Sequence, residues 1–342
     1  MIYLRVMRRF LLSATAATAA ATASLGILAG GAFAKPPHLP APPPAPAVTA
    51  SAKLYLHDAF FVDHRTVDVP GRPISVTGYV SRYVPGQRVT LTATADGRRV
   101  VSQTLRVRGV NGGRSGTFTG SVTAPRAGIL HLTVVHRRDA RMQFFTAGRG
   151  VVVVPTTSSS SLFTALIQQR LVARRLYLPL SGKWDEQTQL AIEAYHRLIG
   201  RGTSASLDPA TLTALLDGRG AFTVRDPQDG RHVEGDLSAQ LLALIDHGRV
   251  QVIYPISSGK PSTPTILGRY RVYERVPGYL PDGMYYSDFF IRGYAVHGYD
   301  PAPDFPASHG CLRLPISDAI SAFDWLALGD IVDVYGTPNG SV

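Results

Sequence analysis

The sequence is poor in cysteine, tryptophan and charge. Its 342 residues include one Cys and two Trp, and Asp, Glu, Lys and Arg together make 17% of the chain, below the usual quarter of a soluble globular protein. A single Cys excludes any intramolecular disulfide, and with it a small scaffold held together by covalent bridges. Scarce charge, combined with 33 Gly and 25 Pro, disfavours long solvated helices and favours short strands joined by many turns. Acidic residues are fewest: 24 Asp and Glu face 35 Lys and Arg, leaving a net charge of +11 and an attraction to some polyanion. What is plentiful is apolar side chain. At 45% hydrophobic the chain is not wholly disordered, and its length suits two or three domains.

No charge appears from Phe10 to Ala34, whereas Arg5, Arg8 and Arg9 precede that stretch. A basic start, a weakly apolar run beginning Leu11-Leu12 and the small-x-small end Ala32-Phe33-Ala34 predict an export signal over 1–34, cleaved after Ala34. The alternative is an uncleaved membrane anchor, although its Ala, Thr and Gly make a poor spanning helix. The segment has no Cys, which excludes lipoprotein-type modification. Loss of the three arginines takes the net charge from +11 to +8. Outside the cell, such a chain meets anionic wall or lipid polymers rather than nucleic acid, so the expected location is exported, in the wall or periplasm-like space of a bacterium.

Residues 35–50 are proline-rich and read as an extended linker. Over 51–155 the pattern alternates with period two, as in Ile74 to Val80, Arg88 to Ala93, Thr117 to Val122 and Leu130 to Val134, punctuated by Pro85-Gly86 and Asp96-Gly97. This predicts an all-β immunoglobulin-like sandwich, a spacer or adhesion module without catalytic residue types. A short polar linker, 156–161, leads to helical periodicity over 162–220. Phe163, Ile167 and Leu171 share a face. A second helix starts at Asp185 and buries Leu190, Ala194, Tyr195 and Leu198, and a third is capped by Asp208, with Pro209 in its first turn, and stops at Gly218. The sum is a small three-helix bundle. From 221 to 342 the reading is mixed, mainly β. A helix is predicted from Asp236 as cap through Leu237, Leu241, Leu244 and Ile245 to Gly248, followed by strands at Val250 to Ile256, Gly268 to Glu274 and Phe289 to His297. Ser317 should cap a helix carrying Ile320, Phe323 and Leu326, and Ile331 to Tyr335 makes a last strand.

The lone thiol sits in Ser308-His309-Gly310-Cys311-Leu312-Arg313, inside a loop bounded by Pro301 and Pro315 and fourteen residues after His297. A thiol attacks as thiolate and needs an imidazole or a positive field to supply it near neutral pH. Both His297 and His309 are candidate bases. Gly310 suggests a tight turn whose successive amides converge, which suits an oxyanion hole, so His309 belongs to that turn and His297, at a strand end, is the better base. Its second ring nitrogen needs an acceptor such as the Gly298 carbonyl. Arg313 would stabilise negative charge on the thiolate or on a substrate carboxylate. The competing readings are a buried inert Cys and a zinc site made by His297, His309 and Cys311. With no CxxC and no carboxylate nearby, neither metal nor cofactor is expected.

Two resemblances follow from these motifs. The stretch from Ile167 to Gly200, with Gly182, Trp184, Thr188 and Tyr195 in place and His196 where Gln is usual, resembles the peptidoglycan-binding helical domain. Ser308-His309-Gly310-Cys311-Leu312-Arg313-Leu314, the upstream Val296-His297-Gly298 and the run Ser257 to Val272 resemble the YkuD-type L,D-transpeptidase catalytic domain, over roughly Arg231 to Tyr335. That resemblance implies a peptidoglycan L,D-transpeptidase, a cysteine acyltransferase. Cys311 attacks the third-residue carbonyl of a tetrapeptide stem and expels D-alanine. An amine of a neighbouring stem then takes the acyl group, giving a 3-3 cross-link. It further implies His297 as proton acceptor and donor, the amides of His309, Gly310 and Cys311 as oxyanion hole, Ser308 and Arg313 as pocket residues, and acylation of Cys311 by a carbapenem-type β-lactam. Arg313 stands where Asn is frequent. Alternatives are an L,D-carboxypeptidase, with water as acceptor, and a non-catalytic wall-binding protein.

Overall fold

The computed structural model describes residues 45–338; the leader and most of the proline-rich segment lie outside the described residues. Among the described residues no helix is long and apolar enough to cross a membrane.

The alternating segment forms β1 (Ala52–His57), β2 (Phe60–Val62), β3 (Arg65–Asp68), β4 (Pro73–Val80), β5 (Arg88–Ala95), β6 (Arg98–Arg106), β7 (Arg108–Val110), β8 (Ser115–Thr123), β9 (Gly128–His136) and β10 (Phe145–Val153). They make a four-stranded sheet ordered β1-β4-β8-β7 and a six-stranded sheet ordered β2-β3-β10-β9-β5-β6. Period-two patterning decides which face is inward: Ile74, Val76 and Val80 of β4 meet Leu91, Leu132 and Val134 of the other sheet in one apolar core. Gly78 breaks the inward row because its partner Phe118 fills that space; a Cβ there would lie 1.9 Å from the ring. The edge strand β6 carries Arg98, Arg99 and Arg106 towards solvent, which discourages edge-to-edge pairing.

Three helices follow: α1 (Ser161–Ala173), α2 (Glu186–Leu198) and α3 (Pro209–Leu216). Each begins where a side-chain oxygen accepts an otherwise orphaned amide: Ser160 from Phe163, Asp185 from Thr188, and Asp208 from Ala210 and Thr211. The residues behind the helical resemblance are folding determinants. Thr188 is fully buried between Asp185 and Gln168, Tyr195 is fully buried with its hydroxyl donating to Arg219 O at 3.1 Å, and His196 is buried with Nε2 at 2.8 Å from Ser206 O. Trp184 is the half-buried member. It lines a cleft of about 1050 Å³ shared with Arg72 and Pro73 of the preceding sheets.

The C-terminal part contains β11 (His232–Asp236), β12 (Leu241–Asp246), β13 (Arg249–Pro255), β14 (Gly268–Arg271), β15 (Glu274–Tyr279), β16 (Tyr285–Ile291), β17 (Tyr294–Gly298), β18 (Leu312–Leu314), α4 (Ile316–Trp325) and β19 (Ile331–Tyr335). Five strands order as β13-β12-β11-β19-β14 and four as β15-β16-β17-β18. The helix expected from Leu237 to Gly248 is instead a turn and the hairpin β12–β13. Asp236 does cap amides, those of Ser238 and Ala239, but the cap closes a turn. The apolar run Leu241 to Ile245 belongs to a strand covered on both faces. Leu241, Ala243 and Ile245 enter one core, while Leu242 and Leu244 enter another. The strand expected over Phe289 to His297 is two strands joined by a turn at Arg292-Gly293, with Ile291 paired to Tyr294. Similarly, Gly268 to Glu274 breaks at buried Val272, where the chain passes from one sheet to the other. The last helix starts at Ile316 after Pro315, with no side-chain cap from Ser317.

One core joins all three parts. Val62, Val67, Val69 and Val154 pack with the helices, and the helices pack on Leu241, Ala243, Ile245 and Ile253. A buried arginine stitches the last contact: Arg197 of α2 pairs with Glu193 and donates from Nη1 to the carbonyls of Gln240 (2.8 Å) and Ile256 (3.1 Å). The chain leading to the thiol is thereby fixed from the helical side.

Candidate active site

Strands β17 and β18 run parallel, with His297 opposite Arg313 and Val296 opposite Leu312. Alternation sends Val296, Leu312 and Leu314 into the apolar core and puts His297 and Arg313 on the other face. Cys311, two residues before Arg313, shares that face and packs with Ala295 and Met284. The thiol, the imidazole and the guanidinium are therefore brought together by register, one strand step apart.

Cys311 is 8% exposed, and its Sγ donates to Gly293 O at 3.8 Å. Burial pushes the thiol above its ordinary range, against the Ala295 amide and the Arg313 charge, which favour the thiolate. His297 is 2% exposed. Its Nδ1 lies 2.8 Å from Gly298 O, and because a carbonyl only accepts, Nδ1 carries the hydrogen and Nε2 is left as a bare acceptor. Burial lowers this imidazole to about 4, with Arg313 adding to the effect and the Gly298 bond opposing it. The resting pair is thus neutral thiol and neutral imidazole. No hydrogen bond joins Sγ to His297 among the described residues, so transfer of the thiol proton to Nε2 requires Sγ to give up the Gly293 carbonyl and approach the ring.

His309 faces away. It is exposed, and its Nε2 accepts from Lys260 Nζ at 3.0 Å, which takes it out of the contest for the base. His297, His309 and Cys311 also do not form a group of ligand atoms able to close on one ion; the one such group among the described residues is Asp226, Asp229 and Asp333, where Arg269 pairs with Asp229 at 2.6 Å.

The turn before the thiol is over-determined. Ser308, fully buried, accepts the Gly310 amide at 3.0 Å and donates to Cys311 O at 2.7 Å, while its own amide reaches Ser258 O and its carbonyl takes the Lys260 amide and the Thr263 hydroxyl. This amends one expectation: of the three amides of this turn, that of Gly310 is already occupied, while those of His309 and Cys311 have no acceptor among the described residues. Gly310 itself has φ +117°, and a Cβ would come 2.4 Å from the Tyr294 ring. Gly310→Ala should lower stability by about 1–3 kcal/mol and displace the turn, cutting the acylation rate at least about tenfold. A denaturation midpoint and single-turnover rate equal to wild type would show that the turn needs neither the positive φ nor the space. Gly298 is similarly tight, 2.6 Å from the Ala319 methyl of α4 if given a Cβ.

Beneath the turn lies a polar support that motif reading missed. Gln240, fully buried, accepts the Ser258 amide at 2.9 Å and donates to Ser258 Oγ at 2.8 Å, and Ser257 exchanges backbone bonds with Arg313 at 2.9 and 3.1 Å. Arg313 lays its guanidinium 3.9 Å over the Tyr299 ring, whose neighbour at 5.9 Å is the His297 ring. Its Nη1 touches Ala307 O at 3.4 Å, and its buried Nε has no partner. A half-buried cation without a carboxylate stands beside the thiol, suited to a substrate carboxylate.

Residues 230–334 match the YkuD family, described as the L,D-transpeptidase catalytic domain. Among solved structures, the chain is similar to an L,D-transpeptidase from Xylanimonas cellulosilytica DSM 15894, at 30% identity and TM-score 0.48, over 53% of this chain and 97% of that one. It is similar to an L,D-transpeptidase from Stackebrandtia nassauensis at 20% identity and TM-score 0.35, over 53% and 95%. It is also similar to the catalytic domain of an E. faecium L,D-transpeptidase at 27% identity and TM-score 0.28, over 32% and 98%. No curated protein matches the chain.

Proposed function

This chain belongs to the YkuD family of L,D-transpeptidases through residues 230–334, and from that premise we propose that it is an exported cysteine acyltransferase that forms 3-3 cross-links between peptidoglycan stem peptides. L,D-transpeptidases act on such stems. The observation that carries the reading is the common face of β17 and β18, where Cys311 lies one strand step from an imidazole whose tautomer is fixed by Gly298 O.

Each proton has a place in the proposed cycle. Cys311 gives its proton to His297 Nε2 as the sulfur bonds to the third-residue carbonyl carbon. The oxyanion that forms is held by the amides of His309 and Cys311. The peptide C–N bond breaks, His297 returns the proton to the departing D-alanine amine, and a thioester remains on Cys311. An incoming amine attacks that thioester, passes a proton to Nε2, and the C–S bond breaks, after which the sulfur is reprotonated. Arg313 binds a carboxylate of the stem. Ser308 acts through the turn it pins and is a positioning residue, as are Gln240 and Ser258. The leader at 1–34, the basic chain and the helical segment 162–220 fit delivery to and docking on the wall, with the sheets of 51–155 as spacer.

Purified disaccharide-tetrapeptides incubated with the full chain and resolved by mass spectrometry test this reading. The expected products are free D-alanine and a dimer joined through the third residues. D-alanine release without dimers would make water the acceptor and the protein an L,D-carboxypeptidase. Muropeptides returned unchanged would remove the enzymatic reading.

A further inference from the structure

The turn at residues 280–284 closes the β15–β16 hairpin and packs against the cluster that contains the thiol. Leu280 N donates to Met284 O at 2.8 Å and Gly283 N to Leu280 O at 2.9 Å. Met284 and Leu280 pack with Cys311 and Ala295, and Gly283 faces the Tyr299 ring closely enough that a Cβ would lie 3.3 Å from it. The turn therefore holds Asp282 between Leu280 and Met284, which pack with Cys311, and next to Gly283, which faces Tyr299. Asp282 is exposed, has Oδ1 accepting the Met284 amide at 3.3 Å, and takes part in none of the ion pairs among the described residues. Arg313, stacked on the same Tyr299 ring, is likewise without a carboxylate. One unpaired anion and one unpaired cation thus flank the thiol and the imidazole.

We propose that Asp282 and Arg313 form a subsite for a zwitterionic acceptor, Asp282 taking the ammonium of a primary amine and Arg313 a carboxylate borne by the peptide substrates. This rests on the acyl-transfer reading above and extends it to the choice between amine and water. An amine is cationic near neutral pH and enters as ammonium. An exposed carboxylate beside the thiol raises its local concentration, while water gains nothing from it. On moving to the thioester the ammonium releases one proton to solvent. As its nitrogen bonds to the acyl carbon, it releases a second to His297 Nε2, which passes to the sulfur as the C–S bond breaks. Asp282 binds and does not take part in proton transfer. Its negative charge also reaches both reacting groups, raising the thiol and opposing the lowering of His297, which fits a position beside the two of them.

Asp282→Asn keeps the acceptor for the Met284 amide and removes the charge. The full chain, acylated with a tetrapeptide stem, is offered lysine as cationic amine and, separately, hydroxylamine, which is neutral at pH 7. Because the lost charge also bears on the thiol and on His297, the readout is the ratio of lysine to hydroxylamine capture on thioester already formed, and hydroxylamine capture should stay within about twofold of wild type. Capture by lysine should need about 5- to 10-fold higher concentration, a difference that shrinks in high salt, and the hydrolysed fraction should rise. Unchanged lysine capture, or equal loss with both nucleophiles, overturns the assignment. Absence of any thioester on the wild-type chain instead defeats the acyl-transfer reading, and the subsite falls with it.

Discussion

Cys311→Ala should abolish stem conversion, lowering turnover by at least about 10⁴-fold, because on the proposed cycle no other group on that face of β17 and β18 forms the covalent bond. Folding survives. The side chain is small, at the edge of a minor cluster with Met284 and Ala295, and its loss leaves the large core of the two C-terminal sheets untouched. The denaturation midpoint should shift by less than about 1 kcal/mol in equivalent stability, and sedimentation with purified sacculi should be unchanged. D-alanine release and dimer formation, followed by mass spectrometry, read the catalytic half of the prediction. Residual conversion within tenfold of wild type would place the nucleophile elsewhere.

His297→Ala is the second large effect. With the imidazole gone, a buried thiol held above its ordinary range must lose its proton to solvent, and acylation should slow by about 10²- to 10⁴-fold. The pH profile separates this role from a merely structural one. Since His297 titrates at about 4, its basic form is present throughout the mildly acidic range, and wild-type acylation should hold a plateau from pH 5 upward and fall only as pH approaches 4. In the variant the rate should climb steadily with pH as thiolate forms. A wild-type inflection at the ordinary histidine value near 6.5 would contradict the buried neutral ring. The same shift links to stability. A histidine with a lowered folded pKa binds fewer protons folded than unfolded between 4 and 6.5. Its contribution is complete above 6.5 and is lost as pH falls through that window, by about 3 kcal/mol in total. His309→Ala should change neither profile, because that ring points to Lys260.

The parts legible in the sequence are those fixed by local chemistry. Asp185 and Asp208 cap helices because a carboxylate beside free amides has few better options, and the Gly298 carbonyl holds His297 because it is the next residue along a strand. The run Leu241 to Ile245 misled because a strand buried on both faces shows no alternation, so its leucines fit a helical spacing equally well. The occupied Gly310 amide had a readable signal: a Ser two residues before a Gly commonly accepts that amide in a turn. Gln240, Asp282 and the Arg313–Tyr299 stack had none. Their partners are brought to them by sheet pairing and by the hairpin turn at 280–284, and nothing in the spacing announces it. The neutral resting pair was equally hidden, since it follows from burial, which belongs to the fold and not to the motif.

The most direct measurement is intact-protein mass after acid quench of a stoichiometric mixture with a tetrapeptide stem. Wild type should gain the mass of the stem less one D-alanine, with peptide mapping locating the adduct on Cys311. A chain that releases D-alanine without ever carrying that adduct, or a Cys311→Ala variant that still carries it, would contradict acyl transfer through this sulfur.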